Sequence, residues 1–293
     1  AQAAGRSLDE WEALRDDPAR DGRILFTSYY LQVVWADGRT TPTAIKAMTP
    51  YFTGREIVGG TFSHWSPVAR LLWVGDPWAR LLPERVELED DRSLFGIPWD
   101  QMTDAALLEA AQALAVTTIV ADADDVNARA MLDAAPHFRR FWDNGHFYLY
   151  HVEGDAASWI AVRNATASLT ARSPRQWRVA VEQAQPGATL TVKMAPYPLW
   201  RAEAAGRPLI IRADRYAAQW VELPVGGPYT VTFTYREGWP EWAGFIGTVL
   251  GLFATAALLW GRPSVARQRT TKAGRSTASP PAVSCARPLS LRL

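Results

Sequence analysis

The sequence predicts an α+β protein with an N-terminal α/β domain, a β-sandwich and one C-terminal transmembrane helix. In residues 22–153, short apolar strands alternate with stretches that carry apolar residues at helical spacing. In residues 154–241, helical spacing disappears and short alternating runs separated by Gly and Pro replace it, which is typical of a β-sandwich. Residues 242–260 contain no charge and would form about 28 Å of helix, close to the thickness of a bilayer's hydrocarbon core.

The first half of the α/β domain has weak local signals. Segment 1–21 is charged and Ala-rich, and it predicts a linker with a short helix over Ser7–Arg15. Gly22–Phe26 is a short apolar run opened by Gly, which predicts a first strand. Residues 29–62 are rich in Thr, Gly and Pro without periodicity, so we expect mostly loops there. A helix is expected over Ser66–Val74, with a proline in its first turn.

The second half of that domain has stronger signals. In residues 103–114, small and apolar side chains recur every three or four residues, which predicts a helix. The β-branched run Val116–Ala121 predicts a buried strand. Asp122–Asp125 then precede a predicted helix over Val126–Ala134, and helix capping explains these aspartates.

The Asn144-Gly145 pair predicts a hairpin that closes the first domain, because this dipeptide suits a two-residue turn between strands. Its strands are expected over 137–142 and 147–152. The following domain is expected to contain six short strands: Trp159–Val162, Trp177–Val181, Thr189–Met194, Pro208–Ile211, Gln219–Leu223 and Tyr229–Tyr235.

The charges are segregated along the chain. Of the 31 Lys and Arg residues, seven lie in the tail 261–293, which has no acidic residue, whereas all 30 Asp and Glu residues lie in residues 1–241. Residues 1–241 therefore have a net charge of −6, which argues against a nucleic-acid partner because phosphate contacts need clustered cations. The single cysteine, Cys285, lies in the tail, so residues 1–241 have neither disulfides nor a cysteine nucleophile.

These charges give the predicted span an orientation. Trp239, Trp242 and Trp260 mark its ends, and the basic residues follow directly after it. Basic flanks remain on the cytoplasmic side, so we expect a plasma-membrane protein with residues 1–241 extracytoplasmic and a disordered cytoplasmic tail. A buried core helix is the alternative. No signal peptide is visible, which favours a chain that is the C-terminal part of something longer.

No catalytic residue, metal site or cofactor is predicted. The motifs of hydrolases, NTPases and dinucleotide-binding proteins do not occur. The acidic run that begins at Asp122 lacks the glycine and the oxygen ligand that an EF-hand loop requires at its centre. Three histidines in the predicted hairpin (His137, His146 and His151) are interpreted as strand-surface residues.

Two groups of residues are candidates for binding. His64 and Trp65 lie in a Gly-rich turn before a helix, and with Trp35 they are weak candidates for ligand contacts. A purely structural turn remains the alternative, since tryptophans both stack on sugars and fill cores. Gly244, Gly247 and Gly251 form a stripe of small residues that would let another transmembrane helix pack closely.

Several short motifs resemble a known family. They include Gly22-Arg-Ile-Leu25, Thr49-Pro-Tyr-Phe-Thr-Gly-Arg55, Leu114-Ala-Val-Thr-Thr-Ile-Val120, Phe147-Tyr-Leu-Tyr150 and Tyr197-Pro-Leu-Trp200. These segments resemble the C-terminal extracytoplasmic region of bacterial polytopic membrane proteins of the 6-pyruvoyl-tetrahydropterin synthase-related group, which is similar to YfhO-like and type C glycosyltransferase-like proteins. The resemblance covers about residues 20–260 and implies many further spans before this region. The catalytic acid of such enzymes lies in an early external loop, so no residue here inherits a catalytic role.

The sequence therefore predicts the extracytoplasmic C-terminal part and last span of a glycosyltransferase-like envelope protein. Its expected partners are the lipid bilayer, other transmembrane helices of the parent protein, and a glycan or polyprenyl-linked sugar. This part would serve a structural or acceptor-binding role, and whether it has any enzymatic activity is left open. The alternative is a single-pass, membrane-anchored glycan-binding module without catalysis.

Overall fold

The chain has a mixed α+β fold that consists mostly of strands, in agreement with the α+β class predicted from the sequence. The computed structural model describes residues 2–18, 21–28, 31–34, 40–43, 45–58, 67–76, 78, 93–154 and 157–260. The predicted cytoplasmic tail, residues 261–293, lies outside this range.

The helices follow the sequence pattern closely. They are α1 (Gln2–Asp16), a short 3₁₀ helix (Ile45–Met48), α2 (Thr49–Thr53), α3 (Pro67–Val74), α4 (Asp104–Ala113), α5 (Val126–Ala134) and α6 (Trp239–Trp260). The four helices predicted in residues 1–153 are confirmed as α1, α3, α4 and α5. α4 begins where expected, because the Thr103 hydroxyl accepts a hydrogen bond from the Ala106 amide at 3.2 Å.

The strands of the first half form a small mixed sheet and two short ribbons. They are β1 (Arg23–Phe26), β2 (Leu31–Val34), β3 (Thr40–Thr43), β4 (Ser93–Leu94), β5 (Ile97–Pro98), β6 (Val116–Asp122), β7 (Phe138–Asp143) and β8 (Phe147–Val152). The prediction of mostly loops in residues 29–62 was wrong, since β2 pairs with β3 and two short helices follow. Isolated Pro and Gly residues hid four-residue elements that are too short to show periodicity.

The four-stranded sheet has the order β1-β6-β8-β7, with β1 parallel to β6 and the other pairs antiparallel. All seven residues of β6 are buried because both faces of the strand are covered. Ile119 packs in an apolar cluster with residues of α3, α4 and α5. Val120 belongs to a separate apolar cluster, which also contains Trp11 and Leu14 of α1.

The hairpin predicted at Asn144-Gly145 is confirmed. The Asn144 side-chain oxygen accepts hydrogen bonds from the His146 and Phe147 amides, at 3.0 and 2.9 Å. Gly145 has a positive φ of 77°, a conformation that glycine adopts without steric cost. The turn therefore fixes the register between β7 and β8.

The second half is one curled antiparallel sheet. Its strands are β9 (Ile160–Arg172), β10 (Gln176–Val192), β11 (Trp200–Ala204), β12 (Arg207–Leu209), β13 (Arg212–Ala213), β14 (Gln219–Glu222) and β15 (Tyr229–Tyr235). The strand order is β12-β11-β15-β10-β14-β13, and β9 also pairs with β10. The β-sandwich prediction was correct that this region consists of antiparallel strands. These strands, however, form a single hydrogen-bonded sheet rather than two stacked sheets.

Strand β10 explains the difference. Two of the predicted strands are the two ends of this 17-residue strand. One end pairs with β15 and the other with β14. Pro186-Gly187, interpreted as a break, instead lies at a register shift between β10 and β9, which is typical of a β-bulge.

The chain divides into two compact units, Ala1–Gly238 and Trp239–Leu293. The second unit begins with α6, a 22-residue helix that includes the segment 242–260. Over the residues that the structure describes, we find no helix with the length and apolar character needed to cross a membrane. The structure therefore gives the predicted transmembrane helix no support.

A buried ion pair ties the loop after α1 to the four-stranded sheet. The Arg55 guanidinium donates to the Asp17 carboxylate at 3.0 Å, and the side chains of both residues are at most 3% exposed. Arg55 also donates to the hydroxyls of Thr117 and Thr118, at 2.9 and 2.8 Å. His151 Nε2 lies 2.8 Å from the other oxygen of Asp17, so the interpretation of His151 as a strand-surface residue was wrong.

We predict that Asp17→Ala lowers the free energy of unfolding by about 3–5 kcal/mol, because it leaves a buried guanidinium without its counter-charge. Urea unfolding at neutral pH measures this. Asp16→Ala is the matched control, since the neighbouring carboxylate is 70% exposed and pairs with exposed Arg15. The control should change stability by less than about 0.5 kcal/mol. Equal effects of the two substitutions would contradict the interpretation.

Candidate functional site

A cluster of polar side chains lies at the carboxyl ends of the parallel strands β1 and β6. Thr27 and Ser28 follow β1, Asp122 ends β6, and Asp125 precedes α5. We call these four residues, together with Glu10 of α1 and Lys46 of the 3₁₀ helix, the buried polar cluster; all six are less than 10% exposed. This edge of a parallel strand pair is where α/β proteins commonly bind ligands.

Lys46 is the centre of the cluster. Its ammonium donates to Asp122 Oδ2 at 2.7 Å, to the Ser28 carbonyl at 2.7 Å and to the Ser28 hydroxyl at 3.2 Å. The ammonium also lies 5.3 Å from the centre of the Phe26 ring. The Ser28 hydroxyl in turn donates to Asp122 Oδ2 at 2.9 Å. With its three donors directed at these acceptors, Lys46 is not placed as a base for Ser28, so a Ser–Lys nucleophile is not formed.

Asp125 connects the cluster to the surface. The Thr27 hydroxyl and the Asp122 amide both donate to its Oδ2. The interpretation of these aspartates as helix caps was therefore wrong for Asp125, whose side chain makes no capping bond to α5. Burial, together with the nearby charge of Asp122, raises the pKa of Asp125 to about 6.

Glu10 brings a third carboxyl group into the same interior. It is 1% exposed, and burial raises its pKa to about 8 even though the positive charge of Lys46 acts in the opposite direction. Within the described residues, Glu10 Oε1 and Asp122 Oδ1 are buried without a hydrogen-bond partner. Buried atoms of this kind are rare in proteins and call for an explanation such as a water or ligand.

A cavity of about 570 Å³ opens beside Asp125. We call it the acidic cavity; it is lined by Pro98, Trp99, Asp100, Asp124, Asp125, Val126 and Asn127. Trp99 is 3% exposed, and its indole Nε1 is a buried donor without a partner in the described part of the chain. Asp100, Asp124 and Asn127 are exposed, so the cavity presents several side-chain oxygens to solvent.

The described lining of the acidic cavity offers mainly hydrogen-bond acceptors. Three carboxylates and one amide can accept hydrogen bonds from hydroxyl or ammonium groups, and none of the described lining residues is basic. Among the described residues, we find no group of three His, Cys, Asp or Glu side chains that could hold a metal ion. The raised pKa of Asp125 marks it as the lining residue with the strongest electrostatic perturbation.

The structure does not test the ligand contacts predicted from the sequence. Trp35, His64 and Trp65 fall outside the described residues. Gly244, Gly247 and Gly251 lie in α6, where they remain a predicted packing surface. The sequence analysis missed Glu10 and Lys46, because nothing local marks a charged residue as buried. The one sequence signal for the buried polar cluster was that polar residues directly follow two predicted strands.

No protein-family model, no curated protein and no solved structure matches this chain. The function of the site therefore rests on its own geometry.

We predict that Glu10 makes the protein less stable as the pH rises. The unfolded chain loses the Glu10 proton near pH 4.5, whereas the folded chain keeps it up to about pH 8. Between these values unfolding releases a proton, so the free energy of unfolding falls as the pH rises, by at most about 1.4 kcal/mol per pH unit. Glu10→Gln should lack this component, and its stability relative to wild type should increase from pH 5 to pH 8.

Urea unfolding between pH 5 and pH 8.5 measures the difference. Above pH 6, the pH dependence of the free energy of unfolding reports mainly on Glu10, because Asp125 titrates at about pH 6 in the folded protein. Glu12→Gln, an exposed position on the same helix, should follow the wild-type pH profile. Parallel profiles for wild type and Glu10→Gln would show that Glu10 is ionised in the folded protein.

Proposed function

We propose that this chain is the extracytoplasmic, sugar-binding part of a bacterial envelope membrane protein, and that the acidic cavity contacts the sugar. The observation that carries the proposal is a cavity of about 570 Å³ whose polar lining consists of Asp100, Asp124, Asp125 and Asn127. Its volume lies in the range of small-molecule sites. Carboxylate and amide oxygens accept hydrogen bonds from hydroxyl groups, so a polyhydroxylated ligand can satisfy several of them at once.

The charge of the cavity narrows the ligand class. Three aspartates, with no basic residue among the described lining residues, favour a ligand that carries positive charge. A sugar with a protonated amino group satisfies both requirements, since it supplies hydroxyl donors and an ammonium. Trp99 borders the cavity without offering a stacking face, because this residue is 3% exposed.

The proposed membrane partner rests on a different observation. α6 exposes a series of large apolar side chains: Trp242 (54%), Phe245 (61%), Ile246 (47%), Leu250 (63%), Leu252 (67%) and Phe253 (70%). The hydroxyls of Thr248 and Thr255 donate to carbonyls one turn earlier, at 2.9 and 2.8 Å, so both are satisfied within the helix. An apolar helix with satisfied polar groups is suited to lipid. Since no described helix qualifies as a span, the proposal depends on this surface rather than on a demonstrated crossing.

The parent protein is proposed from the sequence resemblance. A glycosyltransferase-like protein with further transmembrane helices would handle lipid-linked sugars, and this part would hold the sugar acceptor. Gly244, Gly247 and Gly251 of α6 would then face neighbouring helices of that protein. A single-pass, membrane-anchored glycan-binding module uses the same cavity and the same helix. Several hydrophobic spans encoded upstream of Ala1 would favour the parent protein, whereas a signal peptide there would favour the single-pass module.

We predict that glucosamine binds in the acidic cavity at pH 7 more tightly than glucose does. The indole N–H signal of Trp99 in a nuclear magnetic resonance titration reports binding locally, because Trp99 lines the cavity. Asp124→Asn should weaken glucosamine binding about three- to tenfold, since it removes one negative charge, and should affect glucose less. Asp143→Asn, an exposed aspartate in the hairpin, is the matched control and should leave binding unchanged.

Three results would contradict this proposal. The Trp99 signal could remain in place with both sugars at millimolar concentration. Asp124→Asn and Asp143→Asn could bind glucosamine equally. Spermidine, which carries ammonium groups without hydroxyls, could bind as tightly as glucosamine, and the ligand class would then be a cation rather than a sugar.

We also predict that the full chain floats with liposomes of phosphatidylglycerol and phosphatidylethanolamine. Leu250→Asp combined with Phe253→Asp should reduce the bound fraction at least tenfold, because a charged side chain in lipid costs about 2–4 kcal/mol. The matched control is Ile210→Asp with Val225→Asp, which places the same charges at exposed apolar positions of the first unit. The control should float like wild type. If both double variants float equally well, α6 is not the part of the chain that contacts lipid.

A further inference from the structure

A second cavity, of about 400 Å³, lies where β1 begins, and we propose that it binds a small organic anion with an oxyanion head group and an apolar body. We call it the arginine pocket. Its charged lining consists of Arg23, Glu56 and Arg172, and its apolar lining includes Trp177, Met194 and Trp200. This site is separate from the acidic cavity, and the inference does not depend on the sugar-binding proposal.

The charges of the arginine pocket do not balance. Arg23 Nε donates to one oxygen of Glu56 at 3.0 Å, and Arg172 Nη1 donates to the other oxygen at 2.7 Å. Among the described residues of the lining, two guanidinium groups therefore share a single carboxylate, so one positive charge has no counter-charge there. Burial, together with the positive charge of Arg172, lowers the pKa of Arg23 against the opposing effect of Glu56. A bound anion would supply the missing negative charge.

Both guanidinium groups are held in place before any ligand binds. Arg23 Nη1 donates to the carbonyls of Leu114 and Lys193, at 2.9 and 2.8 Å. The Arg172 guanidinium lies 3.7 Å from the centre of the Trp159 ring, close enough for a cation–π interaction. Trp159 is itself fixed, because its indole N–H donates to the Asp21 carbonyl at 2.7 Å. Fixed donors reduce the entropy lost when an oxyanion binds.

The apolar wall defines the rest of the ligand. Trp177, Met194 and Trp200 are 4–8% exposed, and they pack in the apolar core of the curled sheet. A bare inorganic anion would contact only the guanidinium groups, whereas an aromatic or aliphatic group beside the oxyanion would also contact the edges of these side chains that border the cavity. Carboxylates and phosphate monoesters share the oxyanion chemistry that two guanidinium groups recognise.

The alternative is that Arg23, Glu56 and Arg172 only connect the two halves of the first unit. Arg23 does join β1 to the segment after β10 through the Lys193 carbonyl. The two interpretations differ in the role of Glu56. In a purely structural network, removal of its charge weakens the network, but in a binding site it removes a group that competes with the anion.

Isothermal titration calorimetry of the full chain tests the proposal with phenyl phosphate and benzoate, and with benzyl alcohol as the neutral analogue. At least one of the two anions should bind at millimolar concentration or below, and benzyl alcohol should bind at least tenfold more weakly. The two anions distinguish a phosphate ligand from a carboxylate ligand. Increasing the KCl concentration should weaken anion binding.

Two substitutions and one control complete the test. Glu56→Gln should tighten anion binding several-fold, and Arg172→Gln should weaken it at least tenfold. Arg175→Gln is the control, because this arginine is 75% exposed and pairs with Glu237 instead. The proposal is overturned if neither anion binds, if benzyl alcohol binds equally well, or if a folded Glu56→Gln variant, checked by circular dichroism, binds the anion no more tightly than wild type.

Discussion

The ion pair between Lys46 and Asp122 holds together the part of the molecule that contains the candidate site. Its ammonium and carboxylate lie 2.7 Å apart, and the side chains are 1% and 12% exposed. Charges this far from water require partners, and here the partners come from the ends of two different strands and from a short helix. The chain after β1 must therefore return to the end of β6. This return places Lys46 beside Ser28 and Asp122, which the parallel pairing of β1 with β6 already brings together.

The same constraint explains why two carboxyl groups around the site have raised pKa values. Lys46 supplies one positive charge to a region that contains three carboxyl groups, those of Glu10, Asp122 and Asp125. Asp122 takes the ion pair at 2.7 Å, while burial raises the pKa of Glu10 to about 8 and that of Asp125 to about 6. Near neutral pH Glu10 thus remains neutral, whereas Asp125 is largely ionised beside the acidic cavity. That carboxylate is the negative charge that an ammonium-bearing ligand would meet.

Elements with a strong local pattern could be predicted from the sequence, while the site could not. The β-branched run of β6 and the apolar spacing of α4 and α5 predicted nearly correct boundaries. A strand buried on both faces is apolar throughout, and a helix buried on one face has apolar residues at helical spacing, so both can be identified from residue type. Asp125 was misinterpreted, since local rules identify an aspartate before a helix as a cap. Its actual partner, Thr27, is 98 positions away in the sequence, and only the parallel pairing of β1 with β6 brings them together. The curled sheet was missed for a related reason. Proline and glycine occur in β-bulges as well as in turns, so residue type alone could not place this pair inside β10.

Strand β1 separates two regions of opposite charge. Arg23 begins the strand in the arginine pocket, and Thr27 follows its last residue in the buried polar cluster. Four residues of extended chain span about 13 Å. At that separation, substitutions that share no contact act almost additively. Loss of anion binding without loss of sugar binding, or the reverse, would therefore identify which cavity a ligand occupies, and a variant that impaired both would have damaged the strand rather than either site.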